Sequence, residues 1–598
     1  MSQPIYVNER DAEYFSESRR LTGPNLFFAD TGVVLEALGV AAESIDAHAR
    51  WREHVLAIVA ELEWTQQMQP TPTVRAHQAS TSLAFAAPVD QLFTATEINE
   101  WAWETASADI FPALTISNAV GDSPNDVGDY PRALARLRKL SLAERNPNVD
   151  ALIDAACRAE VDYFLDDETL SVGSGAGSHS ALLTDLESFK GLDWRGVSDI
   201  PLALVTGSNG KTTTVRLIAA MLKAHGFVPG YASTEGVVID DVQVVTGDYS
   251  GPAGARTVLR DKRVTAAVLE SARGGMLRRG LATRRANVAV VTNLSADHFG
   301  EYGIDSIDDL AQAKLIVAHA LVHDGVLVLN ADDPELMSVS KHLWLKSAVF
   351  ASDMHNKLLL EKRGEGGLTC GARNGKLWLS EGDTEYDLGA IANMPLTFNN
   401  AAIYNIANIA AAALAAFALG VLPATINRTL KVFGQLRSDN PGRLECWQIN
   451  GVDVLIDYAH NPAGLSGLLD VAATKRQKKS RLGLLLGQAG NREDNDIAAL
   501  AEIAARFKPD LVVLKDIAGF ERGREAGEVA ALLAQSLQAN GVKPDQISIE
   551  LDEFNAAKIL FTWAHAGDII VLPMHGIVAR QAMRNYLDAV APKEGLAQ

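Results

Sequence analysis

The sequence predicts a multidomain α/β protein: a central parallel-sheet domain, a smaller C-terminal Rossmann-like α/β unit and an N-terminal α/β domain. Three observations carry that expectation. The 598 residues exceed what one hydrophobic core can organise. Apolar strand segments alternate with helical patterns in two successive series, the signature of parallel sheets covered by helices. Residues 204–214 read as a strand, a glycine-containing turn and a helix in immediate succession.

Residues 1–170 mix helical stretches at 45–62 and 130–140 with a short apolar run at 82–86, and spacing alone shows no chemical constellation there. Ser171-Val172-Gly173-Ser174-Gly175-Ala176-Gly177-Ser178 follows, and its Gly/Ser richness reads as a flexible linker over 171–195. The central domain is expected over 196–437, with strands at 202–206, 266–269, 288–292 and 326–329. The turn formers Ser438-Asp439-Asn440-Pro441-Gly442 open a last unit, 438–598, with strands at 454–457, 482–486, 511–514 and 569–572. No repeat at a solenoid period is visible.

Composition narrows the function classes. Lys+Arg total 54 against 74 Asp+Glu, a formal charge of −20, which disfavours sequence-independent nucleic-acid binding. Small anions remain compatible, because a nest of backbone amides binds phosphate on an acidic protein. The longest apolar run, 409–422, falls short of the roughly 18 residues a membrane span needs and reads as a packed, alanine-rich helix. With no secretion signal in the first residues and three scattered cysteines (Cys157, Cys370, Cys446), a cytoplasmic protein without membrane partners is expected.

The strongest chemical signal is Val205-Thr206-Gly207-Ser208-Asn209-Gly210-Lys211-Thr212-Thr213-Thr214. A helix is expected from Lys211 to His225, with Gly226 just past its end. Glycines let the backbone wrap phosphates, the helix start presents free amides, Lys211 supplies charge and Thr212 a hydroxyl for Mg²⁺. Position 205 is valine, so the general GxxxxGK[ST] pattern is not met.

This TGxNGKTTT form resembles the Mur ligase superfamily of ATP-dependent amide-forming enzymes. Further pieces follow in that order: Glu270 at a strand end, Thr292-Asn293, Asp297-His298, Lys314, Asn330-Ala331-Asp332-Asp333, Asn405 and Asn408, Pro441-Gly442-Arg443, and Asp457-Tyr458-Ala459-His460-Asn461-Pro462. Taken singly, a strand-end carboxylate is more often a cap, a lone histidine structural and a lysine solvated. Their joint order reverses that weighting. Residues 250–261, 268–278 and 440–444, with Arg20-Leu21-Thr22-Gly23-Pro24-Asn25, are similar to cyanophycin synthetases. Those enzymes polymerise aspartate and arginine with an ATP-grasp module and a Mur-like half. Residues 165–195 are too few for that module.

The resemblance implies ATP and Mg²⁺ as cofactors. It places Gly207, Asn209, Gly210, Lys211, Thr212 and Thr213 on the phosphates, and Asn405 and Asn408 at the adenine. Arg443 and Asp457 would reach phosphate and ribose from the last domain. Thr212, Glu270, His298 and Lys314 would hold metal, Lys314 being carbamylated in several such ligases, and Lys211, His298 and Lys314 would be catalytic. Small-molecule amino-acid and peptide substrates are expected, joined through an acyl phosphate, in a homo-oligomer. Gly487-Gln488-Ala489-Gly490-Asn491-Arg492-Glu493-Asp494 departs from the more acidic, arginine-rich stretch of cyanophycin synthetases, so the amine substrate need not be arginine. The rival reading is a catalytically silent nucleotide-binding paralogue that partners a full-length cyanophycin synthetase.

Overall fold

A computed structural model describes residues 14–64, 69–78, 80–111, 126–295 and 299–591. Among them the strands form four sheets. The largest has eleven strands. Its middle is parallel, in the order Pro229–Ser233, Ala266–Glu270, Leu202–Thr206, Ala286–Val291, Leu321–Asn330, Ser347–Ala351 and Leu368–Arg373. Antiparallel strands finish both edges. Leu202–Thr206 and Ala266–Glu270 are buried along their length and Ala286–Val291 at every residue but Asn287, which explains why they read as continuous apolar runs rather than alternations.

Helix Lys211–His225 ends at Gly226 in the left-handed conformation, as the sequence predicts. It packs against the alanine-rich helix Ile403–Ala418, where the small side chains let the two approach closely. This helix covers the sheet and accounts for the apolar run.

A second, six-stranded sheet carries Val452–Asp457, Ile569–Pro573, Leu482–Leu486, Leu511–Leu514 and Ile547–Ile549 in parallel, with Glu445–Ile449 antiparallel at one edge. Near the N-terminus a four-stranded antiparallel sheet, ordered Phe15–Leu21, Gly32–Ala37, Thr81–Ala86 and Thr73–Ala76, packs against helices Ile45–Glu61 and Leu92–Ile110. The expected helical stretches and the apolar run at 82–86 fall on these elements and on helix Tyr130–Glu144.

The segment expected to be a flexible linker is folded. Tyr163–Leu165, Thr169–Val172 and His179–Leu182 form a three-stranded antiparallel sheet over a small apolar cluster. The Gly/Ser run is a tight corner in it. Gly175 has φ +54°, and a Cβ there would lie 2.4 Å from the Val264 carbonyl oxygen. Its glycines serve close packing, not freedom.

Candidate functional site

In the large sheet the chain runs from the middle strand, Leu202–Thr206, first to one side and later to the other, returning at Ala286–Val291. Such a reversal leaves a crevice at the carboxyl ends of the strands, where open α/β sheets bind ligands. Residues 207–210 form the turn at that point. Asn209 N–H donates to Asn293 Oδ1 at 2.9 Å, and Thr292 Oγ1 donates to the Asn209 carbonyl at 2.6 Å, so the neighbouring strand end fixes the turn. Gly210 has φ +82°, and a Cβ there would lie 2.0 Å from Asn408 Oδ1. Asn408 in turn donates to Asn405 Oδ1, and Asn405 to the Leu396 carbonyl.

Lys211 Nζ donates to the carbonyls of Gly207 and Ser208 at 3.0 and 3.2 Å, curling over the turn that precedes it. Thr212 Oγ1 donates to Glu270 Oε2 at 2.8 Å and accepts from Arg443 Nη2 at 3.1 Å. Asn440 Nδ2 reaches Thr213 Oγ1 at 3.1 Å, and Asn461 Nδ2 reaches Asn209 Oδ1 at the same distance. Asn440, Arg443 and Asn461 flank the second sheet, so both sides of the site are engaged. Asp457 Oδ2 accepts from the Leu444 amide at 2.7 Å. Burial pushes its carboxyl up while Arg443 pulls it down.

These residues line one cleft of about 520 Å³ that also takes in Thr234, Tyr404, Tyr458 and His575. Lys211, Thr212, Thr213, Asn209, Gly210, Glu270, Asn405, Asn408, Arg443 and Asp457 are all on its wall. Gly207 and Lys314 line a second cleft of about 950 Å³, which shares Ser208 and Lys211 with the first. Lys314 sits on helix Ile307–Leu315 and is only 4% exposed, unlike a solvated surface lysine. The exposed Arg278 and Arg279 also border this second cleft, as do Glu17 and Glu36 from the N-terminal sheet. His298 lies outside the described residues.

Among the described residues no cluster of three His, Cys, Asp or Glu side chains could hold a metal. The Thr212–Glu270 pair nevertheless fits Mg²⁺. Among the described residues no donor reaches the buried Glu270 Oε1, and Mg²⁺ is commonly held by one or two carboxylates, with phosphates and water completing its shell. No described helix is long and apolar enough to cross a membrane.

Sequence reasoning missed Thr234, Glu235 and Arg580. Thr234 and Glu235 directly follow a strand of the large sheet, a position that marks site residues in such folds. Arg580, inside helix Ile577–Val590, gave no local signal. The departing loop, 487–494, does reach the site: Gln488, Asn491 and Arg492 line the first cleft, and Asn491 Nδ2 donates to Glu301 Oε1 at 2.6 Å.

A phosphate-type turn at the switch point of one sheet, capped by a second α/β sheet, defines a two-domain ligand site. Residues 205–416 match the Mur ligase middle domain, and residues 442–573 match the Mur ligase, glutamate ligase domain. Over these two domains the chain belongs to the Mur ligase family, as the order of its motifs implies. It is 37% identical over 375 residues to the cyanophycin synthetase of Geminocystis herdmanii, covering 63% of this chain and 42% of that protein. The chain thus spans about two fifths of that relative's length. It is 28% identical over 390 residues to a UDP-N-acetylmuramoyl-L-alanyl-D-glutamate–2,6-diaminopimelate ligase of Corynebacterium efficiens, covering 63% of this chain and 69% of that one. Among solved structures, Mycobacterium tuberculosis folylpolyglutamate synthase complexed with ADP aligns at 18% identity and TM-score 0.47, over 65% of this chain and 90% of that one.

Proposed function

We propose that the protein is an ATP-dependent ligase that joins the amine of an amino acid to a carboxylate of an aspartate-containing peptide or related acid. The observation that carries this reading is the convergence of Lys211, the Thr212–Glu270 pair, Arg443 and Asp457 on one cleft built by both Mur-type domains. Amide formation needs the carboxylate oxygen made into a leaving group. Transfer of a phosphoryl group to it does so, and attack by the amine then forms the C–N bond and expels phosphate. Such transfer is chiefly positioning and charge stabilisation.

In this reading Lys211 and the amides of 207–212 hold the β- and γ-phosphates, and Arg443 approaches the same oxygens from the C-terminal domain. Thr212 and Glu270 would hold Mg²⁺, which supplies positive charge against the phosphates. Asn405 and Asn408 would face the adenine, and Asp457 would reach the ribose. The acid would enter through the second cleft beside Lys211 and Lys314. A carbamylated Lys314 would offer oxygens and negative charge to a second metal where an ammonium would repel it. The domain division expected from sequence, 1–170, 196–437 and 438–598, would have its first boundary moved, because 170–171 falls inside strand Thr169–Val172 of the packed joint.

The test is ADP release by the purified chain, screened over single amino acids with a short aspartyl peptide as acceptor. Release that requires both acid and amine supports a ligase. Nucleotide binding without acid-dependent release would instead identify the silent paralogue.

A further inference from the structure

We infer that Glu235 is the post on which the C-terminal domain docks, and that Arg580 and Arg443 grip it together so that Arg443 is held against Thr212. This rests on the ligase reading only in supposing that Arg443 serves the nucleotide.

Glu235 follows strand Pro229–Ser233 in the large sheet and so belongs to the central domain. Arg580 comes from helix Ile577–Val590, which follows strand Ile569–Pro573 of the second sheet. Its Nη2 donates to both Glu235 oxygens, at 2.6 and 2.8 Å, and its Nη1 donates to the Met574 carbonyl at 3.1 Å. The two side chains are 3% and 14% exposed, so water screens this pair poorly. Arg443 Nη1 stands 3.5 Å from the same Glu235 oxygen. The other nitrogen of Arg443 reaches the hydroxyls of Thr212 and Thr234 at 3.1 and 3.3 Å. Both guanidinium groups lie over the Tyr458 ring, at 4.5 and 5.4 Å from its centroid.

Two like charges stacked on one ring repel unless an anion lies between them. Glu235 is such an anion, and with Thr212 and Thr234 it comes from the central domain, whereas both guanidinium groups come from the C-terminal domain. Removing its charge leaves both guanidinium groups of the C-terminal domain without their anionic partner on the central domain, which removes an attraction that holds the two domains together. Glu235 and Arg580 therefore act as positioning residues. They touch no phosphate themselves; they set where Arg443 sits.

The experiment combines small-angle X-ray scattering of the full chain with titration of AMP-PNP and Mg²⁺, on wild type, Glu235→Gln, Glu235→Asp and Arg580→Lys. The expected result is a larger radius of gyration without nucleotide and at least a tenfold rise in Kd for Glu235→Gln. Glu235→Asp, which keeps the charge, should recover most of the affinity at an equal melting temperature, a rescue that a purely packing role would not give. Arg580→Lys, which cannot pair bidentately, should fall between. Unchanged scattering and unchanged Kd in Glu235→Gln would overturn the inference. If Glu235→Gln does not fold, Arg580→Lys decides: wild-type scattering and affinity there would overturn it equally. Both readouts stand whether or not the chain proves to be a ligase, because neither depends on turnover.

Discussion

Two glycine-rich stretches of this chain look alike in sequence and do opposite things. Residues 173–177 form a corner pressed against 198–200 and 264, where Ser174 N–H donates to the Ser198 carbonyl at 3.0 Å and Ala176 N–H to that of Val264 at 2.8 Å. Residues 207–210 form an equally tight turn, but its neighbours are the side chains of Thr292 and Asn408, and it opens on a cleft. In the first, the absent side chain lets backbone meet backbone. In the second, it keeps backbone amides at the cleft wall while a polar residue locks the turn from behind. Glycine content therefore says little until the contacts of the turn are known.

Single substitutions separate the two roles. Gly175→Ala should give the largest loss of stability, on the order of 3 kcal/mol, from forcing a Cβ onto the Val264 carbonyl at a left-handed position. Thermal unfolding should show it, while the surviving folded protein keeps its nucleotide affinity. Gly210→Ala should do the reverse. Its left-handed strain is worth about 1–2 kcal/mol, but displacement of Asn408 should cut nucleotide affinity sharply. If both variants lost affinity in proportion to stability, the distinction between the two turns would fail.

Lys314→Ala sharpens the functional side. The lysine is buried beside the cleft, so its loss should remove most turnover at saturating ATP and Mg²⁺. Added acetate should restore part of it by supplying carboxylate oxygens in place of a carbamate. Full activity without acetate would take the second metal site out of the mechanism.

The smallest expected effect lies again at the packed corner. Asp199 accepts from Ser174 Oγ at 3.3 Å, and burial, then neighbouring Asp162, push its carboxyl up to about 6. The folded value is above the ordinary value of about 3.9. The stability this group contributes is therefore complete at acid pH and is lost as pH rises through about 6. Asp199→Asn should flatten that decline, seen as a smaller drop in melting temperature between pH 4.5 and pH 7. An unchanged slope would mean that Asp199 is ionised throughout.

Much of this was legible in the sequence because the parallel strands are buried on both faces. Leu202–Thr206, Leu482–Leu486 and Leu511–Leu514 fall at the expected positions, since a short apolar run bounded by polar turns has few other solutions. The motif residues at strand ends were legible for the same reason. The corner at 173–177 was not, because a glycine run has the same composition whether it is solvated or packed. Nor were Glu235 and Arg580, separated by 345 positions and joined only by the closure of one domain on another.

The most direct check is calorimetric titration of AMP-PNP with Mg²⁺ into wild type and Lys211→Ala. Among the described residues Lys211 donates to the carbonyls of its own turn, so its loss should leave the melting temperature nearly unchanged. Its ammonium would meet phosphate directly, and a lost charge-assisted contact of this kind should weaken Kd by about tenfold or more. Equal affinity in the two proteins would contradict a nucleotide site built on residues 207–212.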